Sequence, residues 1–181
     1  FMETDFKLFD PQIHTENSLP NEPGNYIVVL RPGCQLPPIG ITPTYKQWKY
    51  EGKQYDIVYT GISNRSLRKR DYAQHFTGNN AGRSTLRKSL GSIMGFNKIP
   101  RDKNKPENGK TKFNPQDEET LSAWMKENLL LFYKPAALPK EIENNEADYI
   151  RRYNPPLNLA DNHNEENRSF REKLSELRKQ K

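Results

Sequence analysis

Three apolar runs along the chain have the composition and length of β-strands. They are rich in β-branched, leucine and aromatic residues and are separated by polar or proline-containing segments. The runs cover residues 24–31, 55–59 and 129–133. An aromatic and basic stretch at 45–50 is predicted to extend a hairpin arm. The pattern therefore indicates a small sheet in which the first two strands pair through a loop.

Helical periodicity occupies much of the remaining chain. The clearest case is an apolar stripe at helical spacing, formed by Leu86, Leu90, Ile93 and Met94. Ser63 or Asn64 can cap another helix directly after the second strand. The predicted helices cover residues 64–76, 84–94, 115–127 and 140–153.

These elements predict an α/β (α+β) domain, with a small three-stranded, mainly antiparallel sheet flanked by helices. The polar residues 1–22 are interpreted as an N-terminal arm and residues 23–160 as the domain. Residues 77–127 are interpreted as an inserted basic helical segment, in which 97–114 is predicted to be a solvated loop. Residues 161–181 alternate in charge and are predicted to form a charged helix or tail.

The positive charge of the chain is concentrated in its middle. The net charge is +6, the pI is about 9.3, and only 33% of the residues are hydrophobic. Residues 61–112 contain 13 Lys and Arg against 3 Asp and Glu, whereas the rest of the chain is net acidic. This local excess predicts a basic face that attracts polyanions, nucleic acid first.

Cysteine and histidine usage excludes two kinds of site. Cys34 is the only cysteine, so the chain has no internal disulfide and no cysteine-based zinc site. The three histidines have no metal-ligand spacing.

No apolar run reaches the length of a membrane span, and no signal peptide is visible. We expect a cytoplasmic protein without a membrane partner.

A strand-to-helix corner gathers residue types that suit phosphate chemistry. Tyr59-Thr60-Gly61 ends an apolar strand, and Gly61 is predicted to make the turn. The helix that follows opens with several basic side chains, among them Arg70. A guanidinium group beside a phenol predicts a place where a phosphate could bind.

Five sequence elements in a fixed order carry a resemblance. They are Gly24-Asn25-Tyr26, Tyr59-Thr60-Gly61, Leu67-Arg68-Lys69-Arg70, His75, and the run from Glu146 to Asn158 through Asn154-Pro155-Pro156. With these elements the chain resembles the GIY-YIG nuclease superfamily over residues 24–76 and 128–160. Asn25 and Thr60 each replace an isoleucine of the two half-motifs. The spacing from Arg70 to His75 is one residue longer than the form expected for the family.

The resemblance implies a site that hydrolyses phosphodiester bonds. Tyr26 is the preferred general base and Tyr59 supports it, although a phenol with a pKa of about 10 needs a nearby cation or tight preorganisation. Arg70 would bind the scissile phosphate. His75 would share a proton, hold phosphate or be structural.

The resemblance also implies a metal ligand. Glu146 would bind Mg²⁺ or Mn²⁺, because a single carboxylate with waters and substrate phosphate suits a hard cation. Asn158 would hold the active-site end of the helix that carries Glu146.

The function predicted from these residues is a metal-dependent DNA endonuclease, with a lean towards a restriction or genome-defence enzyme. Cutting both strands would need a homodimer or two sequential nicks. Candidate nucleic-acid contacts are Arg68, Lys69, Arg83, Arg87 and Lys88.

Two alternatives remain open. One is a non-catalytic nucleic-acid-binding module on the same fold. The other is a basic interaction domain with coincidental motifs, which predicts that Glu146 and Arg70 lie far from Tyr26.

Overall fold

An antiparallel sheet of five strands organises the fold. The structure is a computed structural model that describes residues 5–78 and 81–180. Its strands, in chain order, are β1 (Lys7–Phe9), β2 (Gly24–Leu30), β3 (Gln47–Tyr50), β4 (Lys53–Ser63), β5 (Lys98–Pro100), β6 (Thr111–Phe113) and β7 (Leu129–Pro135). The main sheet has the order β1-β7-β2-β4-β3, and β5 pairs with β6 in a separate hairpin.

The sheet has five strands and not the predicted three. The three predicted strands are confirmed as β2, β4 and β7, which lie side by side in the middle. The two additional strands, β1 and β3, lie at the edges and are only three and four residues long. β3 lies in the stretch at 45–50 predicted to extend a hairpin arm, and it pairs with β4. β1 carries too few alternating positions to be recognised as a strand.

The N-terminal segment belongs to the core and is not a detached arm. Phe6 and Phe9 are buried beside β1, and Leu19 is also buried. Residues 1–4 of the predicted arm, residues 79–80 of the predicted insertion and residue 181 of the predicted tail lie outside the described residues.

Four α-helices and one π-helix surround the sheet. The α-helices are α1 (Thr85–Ile93), α2 (Pro115–Asn128), α3 (Pro139–Tyr153) and α4 (Arg168–Lys179). The helix predicted directly after the second strand is a π-helix over Arg68–Phe76. Its wide turns are visible at its end, where the amide of Thr77 donates to the carbonyl of Tyr72, five residues earlier, at 2.9 Å.

The two faces of the sheet are buried by different elements. Alternate residues of β2 point to opposite faces. Tyr26 and Val28 join a core formed with the π-helix, α1, α2 and α4. Ile27 and Val29 join a second, aromatic core formed with α3 and Trp48. All seven residues of β2 are therefore buried, which explains its continuous apolar run.

The predicted solvated loop at 97–114 contains the β5–β6 hairpin. Phe113, at the end of β6, is 1% exposed and packs on Gly91 of α1. A β-carbon at Gly91 would lie 2.1 Å from the Phe113 ring, so the glycine lets the hairpin approach the helix. In the part of the chain that the structure describes, no helix is long and apolar enough to cross a membrane.

Candidate active site

Tyr26 and Gly61 form the floor of the site. They face each other across β2 and β4, and Tyr26 is fully buried. A β-carbon at Gly61 would lie 2.3 Å from the hydroxyl oxygen of Tyr26 and 2.4 Å from its ring. Gly61 lies within β4 and not in a turn, so the predicted reason for this glycine was wrong. It is needed because the Tyr26 phenol occupies the space of a side chain.

A chain of two short hydrogen bonds runs from Tyr26 away from the sheet. The hydroxyl oxygen of Tyr26 lies 2.6 Å from Nε2 of His75, and Nδ1 of His75 lies 2.7 Å from Oγ of Ser84. All three side chains are buried. Ser84 is also the N-cap of α1, where its Oγ accepts the amide of Arg87 at 3.1 Å. The orientation of the His75 ring is therefore fixed at both nitrogens.

The π-helix explains the spacing between Arg70 and His75. In an α-helix residues three and four apart share a face, whereas the hydrogen bonds of a π-helix join residues five apart. Arg70 and His75 are five residues apart and lie in this helix. The wider turns therefore let both side chains face Tyr26 at this spacing.

Burial keeps the tyrosines protonated and the histidine neutral. It raises the pKa of Tyr26 well above its usual value, with Tyr59 and Asp71 adding to the effect and Arg70 opposing it. Burial likewise raises the pKa of Tyr59 to about 12. For His75, burial lowers the pKa well below its usual value, and the guanidinium groups nearby lower it further. The free site therefore holds a neutral imidazole against a neutral phenol.

Arg70 lies at the mouth of this cluster. Its Nη1 donates to the side chain of Gln74 at 2.7 Å and to the carbonyl of Arg83 at 3.0 Å. The phenols of Tyr26 and Tyr59 both raise the pKa of Arg70, against the effect of its partial burial. Arg70 is thus a fixed cation beside both tyrosines.

Glu146 belongs to the same electrostatic environment. It lies half-buried on α3, and its pKa is raised first by burial and then by repulsion from Asp161, while Arg70 lowers it. Glu146 in turn raises the pKa of Tyr59. The site residues therefore converge, contrary to what coincidental motifs predict.

Asn158 ties the segment after α3 to the sheet. Its side chain accepts the amide of Thr60 and donates to the carbonyl of Thr60, both at 2.9 Å. Thr60 lies between Tyr59 and Gly61 on β4. The contacts of Asn158 therefore connect the segment after α3 to the strand that carries these two site residues. These contacts agree with a positioning role.

The donor set suits a hard cation held by few protein ligands. Among the described residues, no group of three or more His, Cys, Asp or Glu side chains could enclose a metal ion. Glu146 and Asp161 bring two carboxylates within electrostatic range, and their repulsion disfavours the charged form of Glu146. A Mg²⁺ ion, which keeps several waters, fits such a site and would relieve this repulsion.

The predicted nucleic-acid contacts differ in their exposure. Lys69 and Arg83 are exposed, and Lys88 is half-buried. Arg68 is half-buried and donates from Nε to the carbonyl of Leu19 at 2.9 Å. Arg87 corrects the prediction, because it is 0% exposed and has no surface to offer a nucleic acid.

Arg87 holds the back of the site. Its Nη1 donates to the carbonyl of His75 at 2.8 Å and to the hydroxyl of Ser122 at 2.9 Å. Its Nη2 donates to the carbonyl of Glu118 at 2.8 Å and lies 3.3 Å from Oε1 of the same residue. The sequence offered no sign of this role, because the partners of Arg87 come from distant segments.

Three further residues of the site were not predicted. Ser84 holds His75, Asp161 faces Glu146, and Asp71 is buried beside Arg70. The Ser84 side chain could be recognised in the sequence only as a helix cap. Asp161 and Asp71 match no element of the family motif, although Asp71 directly follows Arg70 and Asp161 lies three residues after Asn158.

Asp71 allows a prediction about pH. It is 0% exposed, and neither carboxylate oxygen has a hydrogen-bond partner. Burial raises its pKa well above the usual value, so the folded protein keeps a proton that the unfolded chain releases above about pH 4. This group therefore contributes a stability that is lost as the pH rises from about 4 towards the folded pKa. We expect Asp71→Asn to stabilise the protein relative to the wild type by an amount that grows as the pH rises from about 4 towards the folded pKa, by at most about 1.4 kcal/mol per pH unit.

The measurement is urea-induced unfolding at several pH values, with the exposed Glu119→Gln as the control. The control is expected to show no such slope. A constant difference between Asp71→Asn and the wild type would mean that Asp71 is ionised in the folded protein.

Comparison with known families and proteins gives one match. A family model described as the GIY-YIG catalytic domain matches residues 24–180. The matched region begins with β2 and extends through α4, so it includes residues 77–127, which were predicted to be an insertion, and the C-terminal helix. No curated protein and no solved structure matches the chain significantly.

Proposed function

This chain belongs to the GIY-YIG catalytic-domain family of nucleases, and from that membership we propose that it is a metal-dependent endonuclease that hydrolyses phosphodiester bonds of DNA. The observation that carries the proposal is the hydrogen bond of 2.6 Å between Tyr26 and His75 beside the Arg70 guanidinium. A phenol, a proton acceptor and a fixed cation together supply what the attack of water on a phosphodiester requires.

In the proposed reaction, Tyr26 removes a proton from the attacking water while passing its own proton to Nε2 of His75. This needs the tautomer with hydrogen on Nδ1, which donates to Oγ of Ser84. As the P–O bond breaks, Tyr26 donates a proton to the leaving oxygen and recovers one from His75, because burial makes the imidazolium unfavourable. The raised pKa of Tyr26 is the reason why a direct phenolate base is disfavoured and a coupled transfer is proposed.

Arg70 is proposed to bind the scissile phosphate and to stabilise the charge that develops on its oxygens. Guanidinium groups suit this role because they present parallel donors to two oxygens. A polar depression of about 520 Å³ adjoins Arg70 and is lined partly by Arg65 and Lys69. We propose that the sugar–phosphate backbone follows this basic depression into the site.

Glu146 is proposed to hold the Mg²⁺ or Mn²⁺ ion, with Asp161 available through a water. The ion, when bound, would polarise the phosphate and stabilise the leaving oxygen. The chain would present the half-buried carboxylate of Glu146 near Arg70 and Tyr59, and the contacts of Asn158 would hold the segment after α3 in position.

DNA is the proposed substrate because the positive charge is concentrated between residues 61 and 112, around the site. A restriction or genome-defence role is proposed because the catalytic domain carries a basic segment of its own within residues 77–127. Double-strand cleavage by one site per chain requires a homodimer or two sequential nicks.

The proposal is tested by incubating supercoiled plasmid with the protein and Mg²⁺. We expect nicked or linear product, and a rate at least about 10²-fold lower for Tyr26→Phe, because general-base catalysis contributes this much. The matched control is Tyr55→Phe, since Tyr55 is also a buried strand tyrosine but lies in the second core. Equal rates for the wild type and Tyr26→Phe would contradict the proposed base. Tight DNA binding without cleavage by the wild type would instead favour the non-catalytic binding module.

A further inference from the structure

Three cations from separate elements interact near the C-terminal end of α4. Lys88 comes from α1, Lys98 from β5 and Arg178 from the last turn of α4. All three side chains are half-buried. They come from three separate elements, so the fold and not the local sequence brings them together.

The packing of α4 places Arg178 in the cluster. Phe170 and Leu174 of α4 are buried in the core that also contains Leu86 and Leu90 of α1. Arg178 follows Leu174 by four residues and therefore lies on the same inward stripe of the helix. Arg178 interacts electrostatically with Tyr59. It lowers the pKa of Tyr59, against the larger effect of burial.

Lys98 fastens the end of α4 to the β5–β6 hairpin. Its Nζ donates to the carbonyls of Leu177 and Gln180, both at 2.8 Å. These carbonyls belong to the C-terminal end of the helix, where a cation is stabilised by the helix dipole. Lys98 thus has partners within the protein, and its position fixes that of Arg178.

Lys88 and Arg178 lack such partners. Among the described residues, no carboxylate forms an ion pair with Lys88, Lys98 or Arg178, and neither the Lys88 nor the Arg178 side chain has a hydrogen-bond partner. The acidic residues on α4 pair elsewhere, since Glu172 lies against Arg168 and Glu176 against Lys173.

Like charges that are partly removed from water repel one another. Burial lowers the pKa of Lys88 and of Lys98, and repulsion from Arg178 lowers both further. Placing these like charges together lowers the free energy of unfolding, and binding of an anion would offset that loss.

We propose that Lys88 and Arg178 form a subsite for a single backbone phosphate of the DNA, flanking the scissile bond on the Tyr59 side. The inference rests on the proposed function, because it takes DNA as the ligand. Tyr59 lies in the same core as the inward-facing residues of α1 and α4, and both Arg70 and Arg178 lower its pKa against the larger effect of burial. Lys88 is one turn of α1 beyond Ser84, which holds His75. The C-terminal helix thereby becomes part of the substrate-binding surface.

The test measures the affinity for a labelled random-sequence DNA duplex between about 50 and 200 mM NaCl. All variants are made in the Glu146→Gln background, so that the duplex remains uncut. For Arg178→Gln we expect an affinity about tenfold weaker near 0.1 M salt and a slope of log K against log salt that is shallower by about 1. Arg178→Lys is expected to keep the parent slope.

Lys88→Gln should reproduce the result for Arg178→Gln. The double variant should also lose only about 1 in slope, because both side chains contact the same phosphate. Arg168→Gln is the matched control, since it removes the same charge from an exposed, paired position on the same helix.

If Arg178→Gln binds with the same affinity and slope as Arg168→Gln, the subsite is overturned while the proposed function stands. A loss of about 2 in slope for the double variant would overturn the single shared phosphate. If the parent protein binds no DNA and the wild type cleaves none, both the subsite and the proposed function are overturned.

Discussion

Replacing Glu146 by glutamine is expected to abolish DNA cleavage without weakening the fold. We expect the cleavage rate to fall by at least about 10³-fold, since a catalytic cation supplies several kcal/mol of transition-state stabilisation. Burial and repulsion from Asp161 raise the pKa of Glu146, so this carboxylate opposes folding when it is charged. The free energy of unfolding should therefore stay equal or rise in Glu146→Gln.

The combination of lost activity and retained stability identifies a functional residue. The measurement is plasmid cleavage over a range of Mg²⁺ and Mn²⁺ concentrations, with urea-induced unfolding of the same preparations. Glu141→Gln is the control, because Glu141 is an exposed carboxylate in the first turn of the same helix. Cleavage that survives in Glu146→Gln would exclude Glu146 as the metal ligand.

The second large effect concerns stability. Glu118→Ala is expected to lower the free energy of unfolding by about 3–5 kcal/mol, because it leaves the Arg87 guanidinium buried without a counter-ion. The two side chains are 0% and 1% exposed, so water cannot replace the carboxylate. The substitution also leaves the amide of Ala81 without the Glu118 Oε2 acceptor, which lies at 2.9 Å.

The measurement is urea-induced unfolding at pH 7, with the exposed neighbour Glu119→Ala as the control. Should Glu118→Ala fail to fold, the double variant Arg87→Met with Glu118→Leu separates the loss of the pair from the loss of one partner. An apolar pair of similar volume is expected to restore part of the stability, because it removes the unpaired charge but leaves the His75 carbonyl and the Ala81 amide without these partners. A change below about 1 kcal/mol in Glu118→Ala would show that the pair is solvated and not buried.

The sequence predicts the central part of the fold because its signal is local. β2, β4 and β7 are confirmed, since each is an apolar run long enough to be recognised. The α-helices α1, α2 and α3 are also confirmed, within one or two residues at their ends. The hairpin arm predicted at 45–50 is also confirmed, since β3 pairs with β4 there. The edge strand β1 could not be predicted, because its pairing with β7 determines it and not its own composition.

The site could be predicted only where a motif names its residues. Tyr26 and Gly61 lie in the two half-motifs, but the sequence does not reveal that they are opposite each other and in contact. The sequence predicts Arg87 as a nucleic-acid contact, because the pattern of charges along the chain gives no information about burial. Its burial depends on Glu118, which lies 31 residues further along the chain.

The proton path shows the same limitation. His75 was recognised as a family position, whereas Ser84 was not, because hydrogen bonds between distant side chains leave no trace in spacing. The hydroxyl of Ser84 both caps α1 and contacts His75, and only the capping role can be predicted from the sequence.

The π-helix makes the site sensitive to the number of residues in this segment. Adding or removing one residue in an α-helix rotates everything beyond it by about 100°. Over Arg68–Phe76 the wider turns give Arg70 and His75 a common orientation at a separation of five residues. The number of residues between these two side chains is therefore matched to the type of helix that carries them.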